Sequence, residues 1–368
     1  MKTNHRLRLP AEWELQRFVL LALPHLATDW AYMLEDVRRC YLEVIRTILR
    51  YESVVVVCND IDEAERCLQP LLDGRQRHTE SSAVRTFVIS HGVRLVAVEI
   101  PTNDTWARDF GGITIVDGSG GNIVLDFGFN GWGLKFAANL DNLVTRRLFD
   151  TAPNIVDGYS YRDCRRIVLE GGSIETNGCG TILTTSRCLL SDNRNGMSRQ
   201  EIEQLFGEYF GAYRTLWLEH GALQGDDTDS HIDTLARFCD PTTIAYVQCT
   251  DTADEHYDEL RAMEDELRQF RTADGKPYRL IPLPMAEEVV DSDGQRLPAT
   301  YANFLIINGA VIVPWYGSPK DAIAEAQLQS IFPDRTIETV DCLPLICQHG
   351  SLHCITMQFP ACCANCLC

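Results

Sequence analysis

Cationic side chains are scarce in this 368-residue sequence: 33 Lys and Arg stand against 52 Asp and Glu, giving a formal net charge of −19. No Lys/Arg-rich block offsets the deficit locally, so a nucleic-acid partner is not expected. The chain also lacks any run approaching the ~18 to 20 apolar residues of a membrane helix, so no membrane partner is expected. At the N-terminus the short apolar run 18–23 ends in Pro24-His25 without a small-residue cleavage site, which is not the pattern of a secretory signal. The 15 cysteines are scattered without the spacing of a disulfide framework. Together these absences point to a reducing cytoplasm. The terminal ACCANCLC contains a CxxC, Cys363 and Cys366, but no second pair or histidines at comparable spacing, so no metal or other cofactor is expected. Residues 361–368 read as a disordered, oxidation-prone Cys-rich tail beyond one domain at 1–360.

What is present is ordinary soluble composition, 45% hydrophobic and 23% charged, with strands and helices in alternation and no Pro/Gly/Ser linker long enough to divide the chain. Apolar residues at three- and four-residue steps predict an amphipathic helix over 29–51. It leads into SVVVVC (53–58), a β-branched run suited to a strand covered on both sides. Asp60 with Glu63, and Ser198 with Glu201, read as helix starts. VRLVAVEI (93–100), ITIVDGSGGNIVLDF, IVLEGGSIETNGCGTILTT, RTLWLE, TTIAYVQC and NFLIINGAVIVP supply strands and hairpins, and helices are expected near 253–271 and 321–330.

Five strand-turn junctions carry polar residues: WARD (106–109), LEGGS (169–173), GDDTDSHID (225–233), YANF (301–304) and QHGSLHCITMQFP (348–360). Taking Asp109, Glu170, His231, Asn303 and Cys354 as markers, they recur at intervals of roughly 50 to 70 residues, the signature of about five similar α/β modules around a common centre. The fold class is therefore α/β, with that centre as the site.

The chemistry follows from residue types. Cys354 is placed behind a polar, glycine-containing loop, as a nucleophile would be, but an unperturbed thiol with a pKa of about 8.5 is only a few per cent ionised near neutral pH. His231, set among acids that can fix its tautomer and raise its pKa, is the candidate acid and base. His353 adjoins the cysteine, yet if Cys354 lies in a strand His353 faces away; His349 reads as a loop or surface residue. The acids of GDDTDSHID, with Asp104 and Asp109, call for a cation. Asp226, Asp227, Asp229 and His231 could ligate a metal, but the glycine and terminal glutamate of a calcium loop are missing. A planar guanidinium, which carboxylates grip in a forked geometry, fits better, and its carbon is open to a clamped thiolate.

These ordered segments, with ALPHLATDW and FNGWGLKF, resemble the agmatine deiminase and Porphyromonas-type peptidylarginine deiminase family from about Leu20 to Pro360. The resemblance implies a single-domain, five-bladed pseudosymmetric α/β propeller of the pentein kind. It implies Cys354 as nucleophile through a covalent amidino intermediate and His231 as general acid and base. Asp109 and Asp233 would clamp the guanidinium, Glu170 would orient and charge His231, and Trp106 and Asn303 would line the pocket. The implied reaction is hydrolysis of a small cationic guanidine, with agmatine favoured; no cofactor is implied, and a homo-oligomer is compatible. Peptidylarginine or free-arginine deimination, amidino transfer and non-catalytic guanidine binding are the alternatives. Only Lys135 is basic across 129–139, which offers little to a peptide carboxylate. Family members often have Gly-Pro at Gly111-Gly112, Gly at Ser230 and Trp at Leu23, departures that bear on substrate more than on reaction.

Overall fold

The computed structural model describes residues 7–361, and the Cys-rich stretch expected to be disordered lies, from 362 onward, outside them. Each module repeats one plan. A hairpin of two antiparallel strands is followed by a helix that returns the chain to a third strand, parallel to the second. Strands Ile113–Val116, Asn122–Gly128 and Tyr159–Val168 form one such sheet around helix Val144–Thr151. Ile174–Thr176, Thr181–Thr185 and Arg214–Leu218 repeat it with helix Arg199–Phe210. Ala236–Asp240, Thr243–Gln248 and Arg279–Pro284 do so with helix Tyr257–Gln269. Leu305–Ile307, Ala310–Trp315 and Thr336–Asp341 do so with helix Asp321–Ile331.

The fifth module joins the two ends of the chain. Met357–Pro360 pairs antiparallel with Gln16–Ala22, and helix Leu34–Ile48 leads to the parallel strand Ser53–Cys58. This sheet alone is extended to six strands, by Val93–Glu99, Val84–Ser90 and Gln76–Ser81. The five sheets thus form the propeller-like arrangement of a mixed α/β domain. Strands 84–90 and 76–81 had no counterpart in the sequence reading. The outer one, QRHTES, is exposed along its whole length and carries no apolar period to read; its charges suit a sheet edge that must not recruit another strand.

Local signals explain why the pieces form. Asp60 Oδ1 accepts from Glu63 N at 2.7 Å and caps the helix Ile61–Leu72. Ser198 and Glu201 make a reciprocal capping box. The expected helix 29–51 is a short 3₁₀ turn, Asp29–Met33, followed by α-helix Leu34–Ile48, and it buries Val37, Tyr41, Val44, Ile45 and Ile48 against the sheet. Each polar junction ends just before the first strand of a module, as a short turn or single helical turn. That is where the repeat places them: at the inner ends of the hairpins, facing the axis.

Candidate active site

The junctions touch in order and close a ring. Gly172 N donates to Asp109 Oδ1 at 3.0 Å, and the turn Gly171–Ser173 packs on Ile232–Thr234. Asn303 Nδ2 reaches Asp233 O at 3.3 Å, and its Oδ1 accepts from His353 N at 2.8 Å. Arg108 N then donates to Cys354 O at 3.1 Å and completes the circuit. The side chains named from the sequence converge on its centre. Cys354 Sγ lies 3.3 Å from Asn303 Nδ2 and 3.9 Å from Asp233 Oδ2. His231 Nδ1 lies 3.6 Å from Asp109 Oδ1, and its Nε2 is 4.0 Å from Glu170 Oε2, a charge contact without a hydrogen bond. Trp106 stands beside the loop: its ring lies against Gly350, where a Cβ would come within 2.1 Å, and its Nε1 donates to Asp104 at 3.1 Å.

Gly172 is central to this packing. A Cβ there would stand 2.6 Å from His231 Nδ1, 2.8 Å from Asp109 Oδ1 and 3.1 Å from Asp233 Oδ2. Only hydrogen fits between the imidazole and both acids, so the glycine does more than allow a tight turn.

Burial shapes the electrostatics. It pushes the Asp109 carboxyl up to about 6, with the neighbouring acid Asp233 adding to the rise and His231 opposing it. Asp233 is also pushed up by burial, but the hydrogen bond from His353 and the charges of His353, His231 and Arg237 outweigh that and leave it below the usual range. His231 is pulled toward neutral by burial and more strongly toward the charged form by Asp109, Cys188 and Glu170, so its pKa ends well above the ordinary value. Burial and then the carboxylates of Asp233 and Asp109 hold the Cys354 thiol well above its ordinary range. The unliganded site therefore keeps a protonated thiol beside acids.

Several participants escaped sequence reasoning. Trp132 Nε1 donates to Asp109 Oδ2 at 2.9 Å from a backbone at φ 55°, a left-handed conformation rare for a bulky residue and held here by flanking glycines. Arg194 holds both oxygens of Glu170 at 3.0 Å and Asp229 at 2.7 Å. His353 does not face away: residues 352–355 form a turn, so strand alternation fails, and its Nδ1 lies 2.8 Å from Asp233 Oδ2. Behind it, Glu12 receives His353 Nε2 at 2.7 Å and Arg237 Nη2 at 2.9 Å, and Arg237 Nε reaches Glu175 at 2.9 Å. His349 Nδ1 bonds Gly225 O at 2.8 Å, tying the cysteine loop to the acidic loop.

Glu170, Cys188 and His231 offer metal-ligand atoms within 4.8 Å of one another. The carboxylate is already occupied by the Arg194 guanidinium, which would repel a divalent ion. The acidic loop turns through Asp229 and Ser230 at φ 67° and 66°, a left-handed backbone that would suit a glycine at Ser230. At Gly112 a Cβ would come within 2.3 Å of Val124 Cγ1, so the neighbours fill the room a proline would need.

Three buried polar atoms in the ring have no hydrogen-bond partner among the described residues: Arg108 Nη2, Asp233 Oδ1 and His231 Nε2. An open acceptor oxygen on the carboxylate that neighbours the thiol asks for a donor from a ligand. The arrangement can bind a planar cation between Asp109 and Asp233, present its carbon to sulfur and deliver protons from His231.

Comparison with known proteins agrees in extent. The profile of the Porphyromonas-type peptidyl-arginine deiminases matches residues 8–360. The agmatine deiminase of Pseudomonas aeruginosa (strain LESB58) is 32% identical over 96% of this chain and 95% of its own. Among solved structures, a cysteine-to-serine variant of the C. jejuni agmatine deiminase with substrate bound superposes with a TM-score of 0.84 at 36% identity, covering 98% of each chain. A Porphyromonas gingivalis chain provisionally described as an arginine deiminase superposes with a TM-score of 0.84 at 49% identity, over 96% of this chain and 98% of that one.

Proposed function

The chain belongs to the Porphyromonas-type peptidyl-arginine deiminase family, whose members are hydrolases acting on amidine C–N bonds, and from that premise we propose that it hydrolyses agmatine to N-carbamoylputrescine and ammonia. The observation that carries the reading is the Asp233 carboxylate, whose Oδ2 lies 3.9 Å from the Cys354 thiol and whose Oδ1 has no partner among the described residues, in a ring whose other acid, Asp109, lies across Gly172. Residues 1–360 are taken as the catalytic unit.

A guanidinium seated between Asp109 and Asp233 neutralises the two charges that hold the thiol protonated, so substrate binding itself favours the thiolate. Sulfur attacks the guanidinium carbon and forms a C–S bond. Protonated His231 gives its proton to one nitrogen, and the C–N bond breaks to release ammonia. His231, now neutral, takes a proton from water as the oxygen attacks the same carbon. The C–S bond then breaks, returning the thiol and the ureido product. Glu170 and Asp109 keep the imidazole charged, and Asn303 fixes the sulfur.

The rim favours a substrate with an amine tail. Lys135, the cation of the 129–139 loop, is committed to Asp229 Oδ1 at 2.8 Å and Asp227 O at 2.6 Å, which leaves it no hold on an α-carboxylate. Asp227, within electrostatic reach of His231 and Lys135, offers a counter-charge for an ammonium. A cytoplasmic setting is supported by buried thiols such as Cys58, Cys188, Cys239 and Cys342, which are not joined in disulfides. No helix among those residues is long and apolar enough to cross a membrane.

The test is ammonia release from agmatine, free arginine and a peptide ending in arginine, alongside Cys354→Ala. Release from agmatine alone, abolished in the variant, is expected. Equal or faster release from arginine or the peptide would overturn the substrate assignment, and release that survives Cys354→Ala would overturn the mechanism.

A further inference from the structure

The imidazole next to the nucleophile is gripped at both ends. His353 Nδ1 lies 2.8 Å from Asp233 Oδ2 and its Nε2 lies 2.7 Å from Glu12 Oε2. We propose that His353 is a positioning residue that works as an imidazolium, bridging Asp233 and Glu12 so that Asp233 stays ionised and fixed beside Cys354. The inference rests on reading the site as a guanidine hydrolase.

The geometry decides the charge. A neutral imidazole has one N–H and one lone pair, and would set that lone pair against a carboxylate oxygen at hydrogen-bond distance. Only the doubly protonated ring donates in both directions. The groups around it come from five elements. Asp233 lies on the turn Ile232–Thr234, Glu12 on the segment before the first strand, Arg108 on the helical turn Ala107–Phe110, Arg237 on the strand Ala236–Asp240, and Glu175 behind Arg237 on Ile174–Thr176. Burial and then the two guanidiniums push the ring below its ordinary pKa, and the two carboxylates offset this only in part. Contact distance argues for the charged ring against that direction: Arg108 reaches the histidine through its backbone, Nε to His353 O at 3.4 Å, whereas the acids touch the ring nitrogens. Charge counting agrees. Burial lifts Glu175, but both of its oxygens accept, from Arg237 Nε and Phe238 N, as a carboxylate does. Three acids and two guanidiniums then leave one negative charge, which the imidazolium cancels.

The ring has nowhere to turn. His353 is 2% exposed, and its backbone N is held by Asn303 Oδ1 at 2.8 Å. Asp233 Oδ2 takes the histidine and lies 3.9 Å from Cys354 Sγ, and Oδ1 has no partner among the described residues.

Two substitutions separate this role from packing. His353→Asn sets an amide N–H where Nδ1 stands, and His353→Gln sets one where Nε2 stands. The expected result is that the Asn variant, which keeps the bond to Asp233 but loses the charge, raises KM for agmatine measurably but several-fold less than the Gln variant. The Gln variant raises KM at least tenfold, with a smaller change in kcat. A packing role predicts the reverse, because Gln is closer to His in size; equal KM values, or a milder Gln variant, would overturn the proposal. The charge is read separately by ¹⁵N NMR of histidine-labelled protein. One imidazole, absent from both variants, should show both nitrogens at the protonated shift at pH 7 and beyond, and a neutral tautomer there overturns the proposal even if the variants express poorly. Wild-type protein that turns over no guanidine would sink the reading of the site, while the NMR result would still decide the bridge.

Discussion

The two layers of charge at the ring's centre are built oppositely. In the front layer, buried Asp109 and His231 stand 3.6 Å apart, Cys354 Sγ lies 3.9 Å from Asp233, and His231 Nε2 and Asp233 Oδ1 have no partner among the described residues. In the layer behind, Glu12, Arg237, Glu175 and His353 meet at 2.7 to 2.9 Å. The front layer is complete only with a cation in it. The rear layer is complete by itself and holds the front in place, so the same carboxylate-to-amide change should shift stability with pH in opposite directions in the two.

The largest effect is expected at Glu12→Gln. Removing one member of a buried, paired network leaves Arg237 and His353 facing a neutral group, a loss of about 3 to 5 kcal/mol in chemical denaturation. Glu12 is held well below the usual carboxylate range by Arg237 and His353 despite its burial. Its contribution is therefore full above the unfolded pKa and is lost as acid protonates the folded state, so the variant and wild type should converge at low pH. A loss under 1 kcal/mol at pH 7 would mean the rear layer is no more self-sufficient than the front.

Gly172→Ala should fall between the layers. The methyl must push apart His231, Asp109 and Asp233, costing about 1 to 3 kcal/mol in stability and about 10²-fold in kcat/KM through misplaced groups. A variant of unchanged kcat/KM would show that the spacing of imidazole and acids does not matter.

The smallest effect, and the inverted one, belongs to Asp109→Asn. Its carboxyl is raised to about 6, so ionisation of the free protein opposes folding: the cost is absent below the unfolded pKa of about 4 and complete above about 6. The Asn amide must set its N–H against one of the donors Gly172 N and Trp132 Nε1, a cost present at every pH, so the signature is the trend: its stability relative to wild type should rise by about 1 to 2 kcal/mol from pH 4 to pH 8, while turnover is lost. Wild-type kcat/KM should correspondingly rise with pH through about 6, as Asp109 becomes able to bind the cation. A relative stability that stays flat or falls over that range would remove the contrast.

What the sequence revealed and what it hid divide along the same boundary. Cys354, His231, Asp109, Glu170 and Asn303 were legible because each sits at the equivalent junction of a repeated unit, and strand runs such as SVVVVC and hairpin turns such as Asn308-Gly309 mark those units locally. Glu12 and Arg237 were hidden because nothing in AEWE or LARF signals a partner 225 residues away. His353 was misplaced for a different reason: period-two alternation was applied to residues that form a turn, and the strand begins only at Met357. Trp132 carried a signal that could have been read, a tryptophan between glycines in GWG, a composition suited to left-handed backbone.

The pairing of Met357–Pro360 with Gln16–Ala22 sets a clock on synthesis. Glu12 and His353 are 341 residues apart, and at ~5 to 20 residues per second the early segment waits roughly 20 to 70 s for its partner to be translated. Until then the first strand has an unpaired edge and Glu12 lacks its imidazole partner. The nascent chain thus resembles an open clasp, and because the closing segment also carries the thiol, no translation product that stops short of that segment can possess both the finished ring and its reactive sulfur.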